Sequence, residues 1–151
     1  MGESLMVGMS EVKVINSPGD VLVALGLGSC VAVCAFDMSA RIAGLAHIVL
    51  PDSNGHDPSP GKFANSAVPL LFEIMCSKGA SMKNIKVALA GGAQLFAFSG
   101  SGPRLEIGPR NAVAVQEQLK LLNLVAMAVD LGGLLRTSNI SHKEYAKLTK
   151  T

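Results

Sequence analysis

Tryptophan is absent from this chain, tyrosine occurs once, and aromatic residues make up 4% of its 151 positions. The interior must therefore be built from Val, Leu, Ile, Ala and Met. No block of Lys or Arg is present, and no aromatics interleave the scattered basic residues. With 13 basic against 11 acidic side chains, a net charge of +2 leaves no electrostatic footprint for nucleic acid. No CxxC pair occurs, and three cysteines, Cys30, Cys34 and Cys76, cannot all pair within one chain. An odd count at irregular spacing points to free thiols and a reducing compartment. The start, MGESLMVGMSEVK, carries an early Glu and no apolar run, so it does not read as a signal peptide. The uncharged run Val21 to Phe36 is 16 residues long and is interrupted by Gly26, Gly28 and Ser29. That is short for a membrane span, which takes about 20 apolar residues. These absences predict a cytoplasmic chain with no membrane insertion.

What remains is strongly apolar. Hydrophobic residues are 49% and charged residues 16%, with mean hydropathy +0.41, which excludes global disorder. The length predicts a single domain over residues 1–151. Val12 to Ile15 suits a strand, and Ser17-Pro18-Gly19-Asp20 a turn. Val21 to Leu27, Val31 to Phe36 and Ile42 to Leu50 are apolar without alternation, as in strands buried on both faces. A polar loop with Pro51, Pro58 and Pro60 follows. Asn65 or Ser66 can cap a helix reaching about Lys78, stopped by Gly79. Pro69 inside it is tolerable in the first turn. Ile85 to Ala90 reads as a strand. Pro109 can open a second helix to about Leu122, with Ala112, Val115, Leu119 and Leu122 inward. Leu124 to Val129 reads as a further buried strand, and the tail after Ser138 is polar. Two helices among five or more strands give the α+β class.

The chemistry is suggested by counting. If Asp37 to Ala40 closes a hairpin, Phe36 faces Arg41 and Cys30 falls directly opposite His47, with Cβ atoms about 4.5–5.5 Å apart. A thiolate is a nucleophile, and an imidazole beside it can accept its proton and return it to a leaving group. Gly26-Leu27-Gly28-Ser29 allows a tight turn before the thiol, and the backbone N–H groups of Ser29 and Cys30 can face an oxyanion. The same residues also fit blander roles. A Cys among apolar neighbours is a small buried hydrophobe, which is the reading for Cys34 and Cys76. His47, between Ala46 and Ile48, also fits a core histidine. Gly91-Gly92 and Gly108 with Arg110 suit an anion loop, or turns and nothing more.

Six segments strengthen the sharper reading. They are GLGSC (Gly26 to Cys30), AHIVLPDS (Ala46 to Ser53), GKFANSAVPLL (Gly61 to Leu71), AGGAQLF (Ala90 to Phe96), IGPRN (Ile107 to Asn111) and DLGG (Asp130 to Gly133). In this order, within Val12 to Arg136, they resemble the chemoreceptor glutamine deamidase family, CheD. The resemblance implies a β-sandwich flanked by helices, in the cysteine-hydrolase fold group of toxin glutamine deamidases. It implies hydrolysis of selected glutamine side chains on methyl-accepting chemotaxis receptors to glutamate, with release of ammonia and no metal or organic cofactor. It implies the phosphatase CheC as a partner, Cys30 as nucleophile and His47 as general base. One position departs. The family normally has a Thr six residues before the nucleophile, whose hydroxyl helps to orient the histidine, and here Ala24 stands there. The group that orients His47 is then open: a backbone carbonyl or a loop side chain such as Asn65 can substitute. The expectation is a slow enzyme improved by Ala24→Thr. The alternative is a weakly catalytic or non-catalytic adaptor that binds receptors or CheC through the same groove. The tail beyond Arg136 matches the family poorly.

Overall fold

The computed structural model describes residues 2–55, 59–93 and 107–131. Pro58, the AGGAQLF segment beyond Ala93, Gly132, Gly133 and the polar tail lie outside the described residues. The elements run β1 (Ser4–Met6), β2 (Val12–Ile15), β3 (Val21–Val23), β4 (Val31–Asp37), β5 (Ile42–Ile48), α1 (Ala64–Ser77), β6 (Ile85–Gly91), α2 (Ile107–Leu121) and β7 (Ala128–Leu131). Five strands form one sheet in the order β2-β5-β4-β6-β7, and β1 and β3 form a separate two-stranded parallel sheet.

The unbroken apolar runs become the central strands β4 and β5, every residue of which is buried. The physical reason is a cover on each face. Val31, Val33 and Ala35 of β4 point into a core with Ala67, Val68, Leu71, Phe72 and Met75 of α1 and Val115 and Leu119 of α2. Ala32 and Cys34 point the other way, into a second cluster with Val7, Leu22, Ala24 and Leu27 from the β1–β3 side. The expected α+β composition is thus found as a sheet flanked by two helices. No helix among the described residues is long and apolar enough to cross a membrane.

Several elements differ from expectation. β1 has no counterpart in the sequence reading, because three residues carry too little pattern. The run from Val21 stays a strand only to Val23, since Gly26 and Gly28 take left-handed φ of 61° and 45°. Helix α1 begins at Ala64 after an extended Phe63 that makes no side-chain cap bond. Neither Asn65 nor Ser66 is the cap; the Ser66 hydroxyl instead donates to the Pro60 carbonyl at 2.6 Å. Pro69 therefore lies in the second turn, and the Asn65 carbonyl has no N–H to accept from four residues on. β7 is an exposed edge strand, later in sequence than the buried strand expected from Leu124. Cys76, expected to be buried, is exposed on α1.

The β4–β5 hairpin carries the main correction. Its loop is Met38 to Arg41, with Arg41 at φ 58°, so Asp37 belongs to the strand. The Asp37 carboxylate accepts from the N–H of Ala40 at 3.0 Å and of Ser81 at 2.9 Å, which locks that turn. Phe36 pairs with Ala43 and His47 with Ala32, two positions from the counted register. A shift of two keeps every side chain on its face. Cys30 and His47 are diagonal neighbours on one face, not directly opposed.

Candidate active site

Cys30 ends a tight turn. Its backbone N–H donates to the Leu27 carbonyl at 2.7 Å, with left-handed Gly28 inside the turn. The next three carbonyls are each held from outside. Ala93 N–H donates to Gly28 O at 2.8 Å, the Asn111 side-chain amide to Ser29 O at 3.0 Å, and Gly92 N–H to Cys30 O at 2.8 Å. The approach is close enough that a Cβ on Gly91 would come within 2.1 Å of Cys30 O, so glycine is required there. Four of the segments noted in the sequence meet at this turn: GLGSC, AHIVLPDS through Val49, AGGAQLF through Gly92 and Ala93, and IGPRN through Asn111. Within the turn the Cys30 N–H donates to Leu27 O, and the Gly92 and Ala93 amides are used in holding the turn, while Arg110 is exposed.

His47 is wrapped by the N-terminal segment. Its main-chain N–H donates to Glu11 O at 3.0 Å, and its carbonyl accepts from Ser10 N–H at 2.9 Å. The ring nitrogen Nδ1 lies 3.0 Å from the Val7 carbonyl oxygen. A carbonyl can only accept, so Nδ1 carries a proton, and in the neutral imidazole Nε2 is then the acceptor. That Nε2 is buried and has no hydrogen-bond partner among the described residues. Val7 is itself fixed, 1% exposed and donating its N–H to Val23 O at 2.8 Å. Sequence reasoning missed Val7 because a backbone carbonyl leaves no trace in residue type. Asn65 does not reach this ring; its side chain exchanges two bonds with Ser53 at 3.1 and 3.2 Å. Ala24 is buried in the same cluster as Val7 and Cys30, beside the pair but with no group to bond either.

Cys30 is 7% exposed and His47 2%, so little of the pair reaches the surface. Burial pushes the Cys30 thiol up, partly offset by a backbone hydrogen bond. At rest the sulfur is protonated. Cys34 lies deeper on the same face, and burial pushes its thiol up to about 12. It cannot compete as a nucleophile at neutral pH. Among the described residues, no cluster of three or more His, Cys, Asp or Glu side chains could hold a metal ion.

Asn111 is the polar residue that the helix pattern hides. It lies four positions before Val115 on the inward stripe of α2 and is fully buried. Its Nδ2 donates to Ser29 O at 3.0 Å and to Val49 O at 2.8 Å. A polar side chain on an apolar stripe was the available signal.

Known proteins share this chain's pattern. The family model described as CheD chemotactic sensory transduction matches residues 49–141. The chain is 42% identical over 128 residues to the chemoreceptor glutamine deamidase CheD of Thermotoga maritima, covering 85% of this chain and 78% of that protein. It is 43% identical over 131 residues to the "Probable chemoreceptor glutamine deamidase CheD" of Caldanaerobacter subterraneus, covering 85% and 80%. For the protein of the same description in Clostridium acetobutylicum the identity is 37% over 133 residues, covering 87% and 80%. A span of that share of the chain takes in Cys30 and His47 wherever it is placed. The family model and the relatives' shared length together show that this chain belongs to the CheD family.

Proposed function

We propose that the chain hydrolyses glutamine side chains on chemoreceptors to glutamate, with Cys30 as nucleophile and His47 as base. The observation that carries the reading is a buried His47 whose Nδ1 bonds the Val7 carbonyl and whose Nε2 has no partner among the described residues, paired with Ala32 on the sheet face where Cys30 also packs. An acceptor left buried and unpaired costs about 1–3 kcal/mol, and a role in proton transfer accounts for keeping it.

The steps follow from the protonation states. Because burial holds the thiol protonated, the proton moves to His47 Nε2 as Sγ attacks the carboxamide carbon. The carbonyl oxygen becomes an oxyanion facing Ser29 N–H. The imidazolium returns the proton to the departing nitrogen, the C–N bond breaks, and ammonia leaves a thioester on Cys30. Neutral His47 then takes a proton from water. The hydroxide displaces sulfur to give glutamate, and the proton restores the thiol. No step calls for a metal or organic cofactor.

The same reading assigns the fold to the cysteine-hydrolase group of toxin glutamine deamidases. Its support is the placement of Cys30 between a two-stranded and a five-stranded sheet, with helices on the outer face. It also carries a cytoplasmic location and CheC as a partner, both resting on family resemblance. Peptide mass analysis of chemoreceptor incubated with the protein tests the proposal. Gln-to-Glu conversion is expected with the native protein. Retained receptor binding without conversion selects the adaptor reading.

A further inference from the structure

The geometry points to Asn111 as the positioning residue that sets the spacing between Cys30 and His47. The inference rests on the Cys–His reading above and adds a part that the pair itself does not contain. One buried amide nitrogen bridges two backbone carbonyls. One belongs to Ser29, the neighbour of the nucleophile, and the other to Val49, two residues beyond the base on the chain leaving β5. The correction to the hairpin register makes such a clamp necessary. Directly opposed residues have their separation fixed by the ladder, whereas Cys30 lies just before β4 and opposes no residue in it. Its place depends on what holds the turn.

The other bonds to the turn do not serve this purpose. Ala93 and Gly92 tie it to the end of β6, on the side of β4 away from β5. Asn111 alone among the described side chains links the nucleophile turn to the strand that carries the base. Its Nδ2 makes both bonds, while its Oδ1 is buried without a partner among the described residues.

Asn111→Asp tests the inference, because it keeps the size of the side chain and replaces both donors with an acceptor facing two carbonyls. Reactive geometry is steep in distance, so kcat for receptor deamidation should fall about 10²-fold with KM little changed. Alkylation of Cys30 by iodoacetamide gives a second readout that needs no receptor. In the native protein, His47→Ala should alter the pH profile of that reaction. In the Asn111→Asp background the same substitution should have no further effect. Asp37→Asn serves as the control, a buried polar group that also locks a turn but at the far end of β4. It should lower the melting temperature and leave both readouts as they were. An Asn111→Asp protein that merely melts earlier, with native kcat and an intact His47 effect on Cys30, overturns the inference. If Asn111→Asp does not fold, Asn111→Ser is read in the same two assays; if neither folds, the residue is structural and the inference fails. Should the native protein not deamidate receptor at all, the proposed function falls, while the alkylation profiles still decide on Asn111.

Discussion

The two faces of the five-stranded sheet are built from different materials. The helix face carries Val31, Val33, Ile42, Ile48, Val87 and Leu89 against Leu71, Phe72 and Met75. The opposite face carries Cys30, Ala32, Cys34, Leu45, Ala88 and Ala90, with His47 among them. The covers differ too. Most carbonyls inside a helix already accept from N–H groups four residues on, so the middle turns of α1 and α2 offer few to a buried ring. A short two-stranded sheet has unpaired carbonyls at its ends, and the chain leaving β1 presents that of Val7. A polar ring is therefore more readily buried and oriented on the strand-covered face than on the helix face. On the proposed function, the helix face supplies stability and the strand-covered face supplies chemistry.

The sharpest way to break this division is to substitute one residue on each side of it. Cys30→Ala should reduce deamidation to the background rate, with the melting curve close to native, because the side chain is small and the nucleophile is gone. Leu71→Ala on the helix face should do the reverse. It should cost about 2–5 kcal/mol in urea unfolding, as large-to-small core changes do, with kcat per folded molecule unchanged. A loss of turnover in folded Leu71→Ala would show that the faces are not independent.

Alkaline pH should act on the strand-covered face. The Cys34 thiol is raised from 9.0 to about 12 by burial, so the fold favours its protonated form. That contribution is present in full below about pH 9 and is lost as pH rises toward the folded value. Urea midpoints should fall between pH 8 and pH 11, and Cys34→Ala should reduce the drop. A drop of equal size in the variant would place the alkaline sensitivity elsewhere.

The smallest effect is expected at Ala24. With His47 already held by Val7, Ala24→Thr has no orienting role left to fill. Turnover should change by less than about tenfold, the range of one neutral hydrogen bond. A larger rise would mean that the Val7 bond holds the ring poorly.

The residue pattern revealed much of this arrangement. Long apolar runs without alternation identified β4 and β5 as strands covered on both sides, and Cys30 and His47 stood out through their flanking motifs. The misses have physical causes. Hairpin register hung on Arg41 adopting a left-handed φ, which is uncommon for a residue with a long side chain. The start of α1 could not be found from a cap because Phe63 supplies none. β1 was too short to show a period. Asn111 was legible as part of a motif, yet its bridge between two carbonyls depends on tertiary contacts far apart in sequence.

The bond between Val7 and His47 bears on how such a site tolerates mutation. Every amino acid has a main-chain carbonyl, so no side-chain replacement at position 7 deletes the acceptor; it can only displace it. Alanine scanning would pass over this contact, and alignments of side chains would not record it. The site is exposed instead to whatever moves the strand: a cleavage ahead of Gly8, or a fusion partner that pulls Ser4–Met6 away from Val21–Val23.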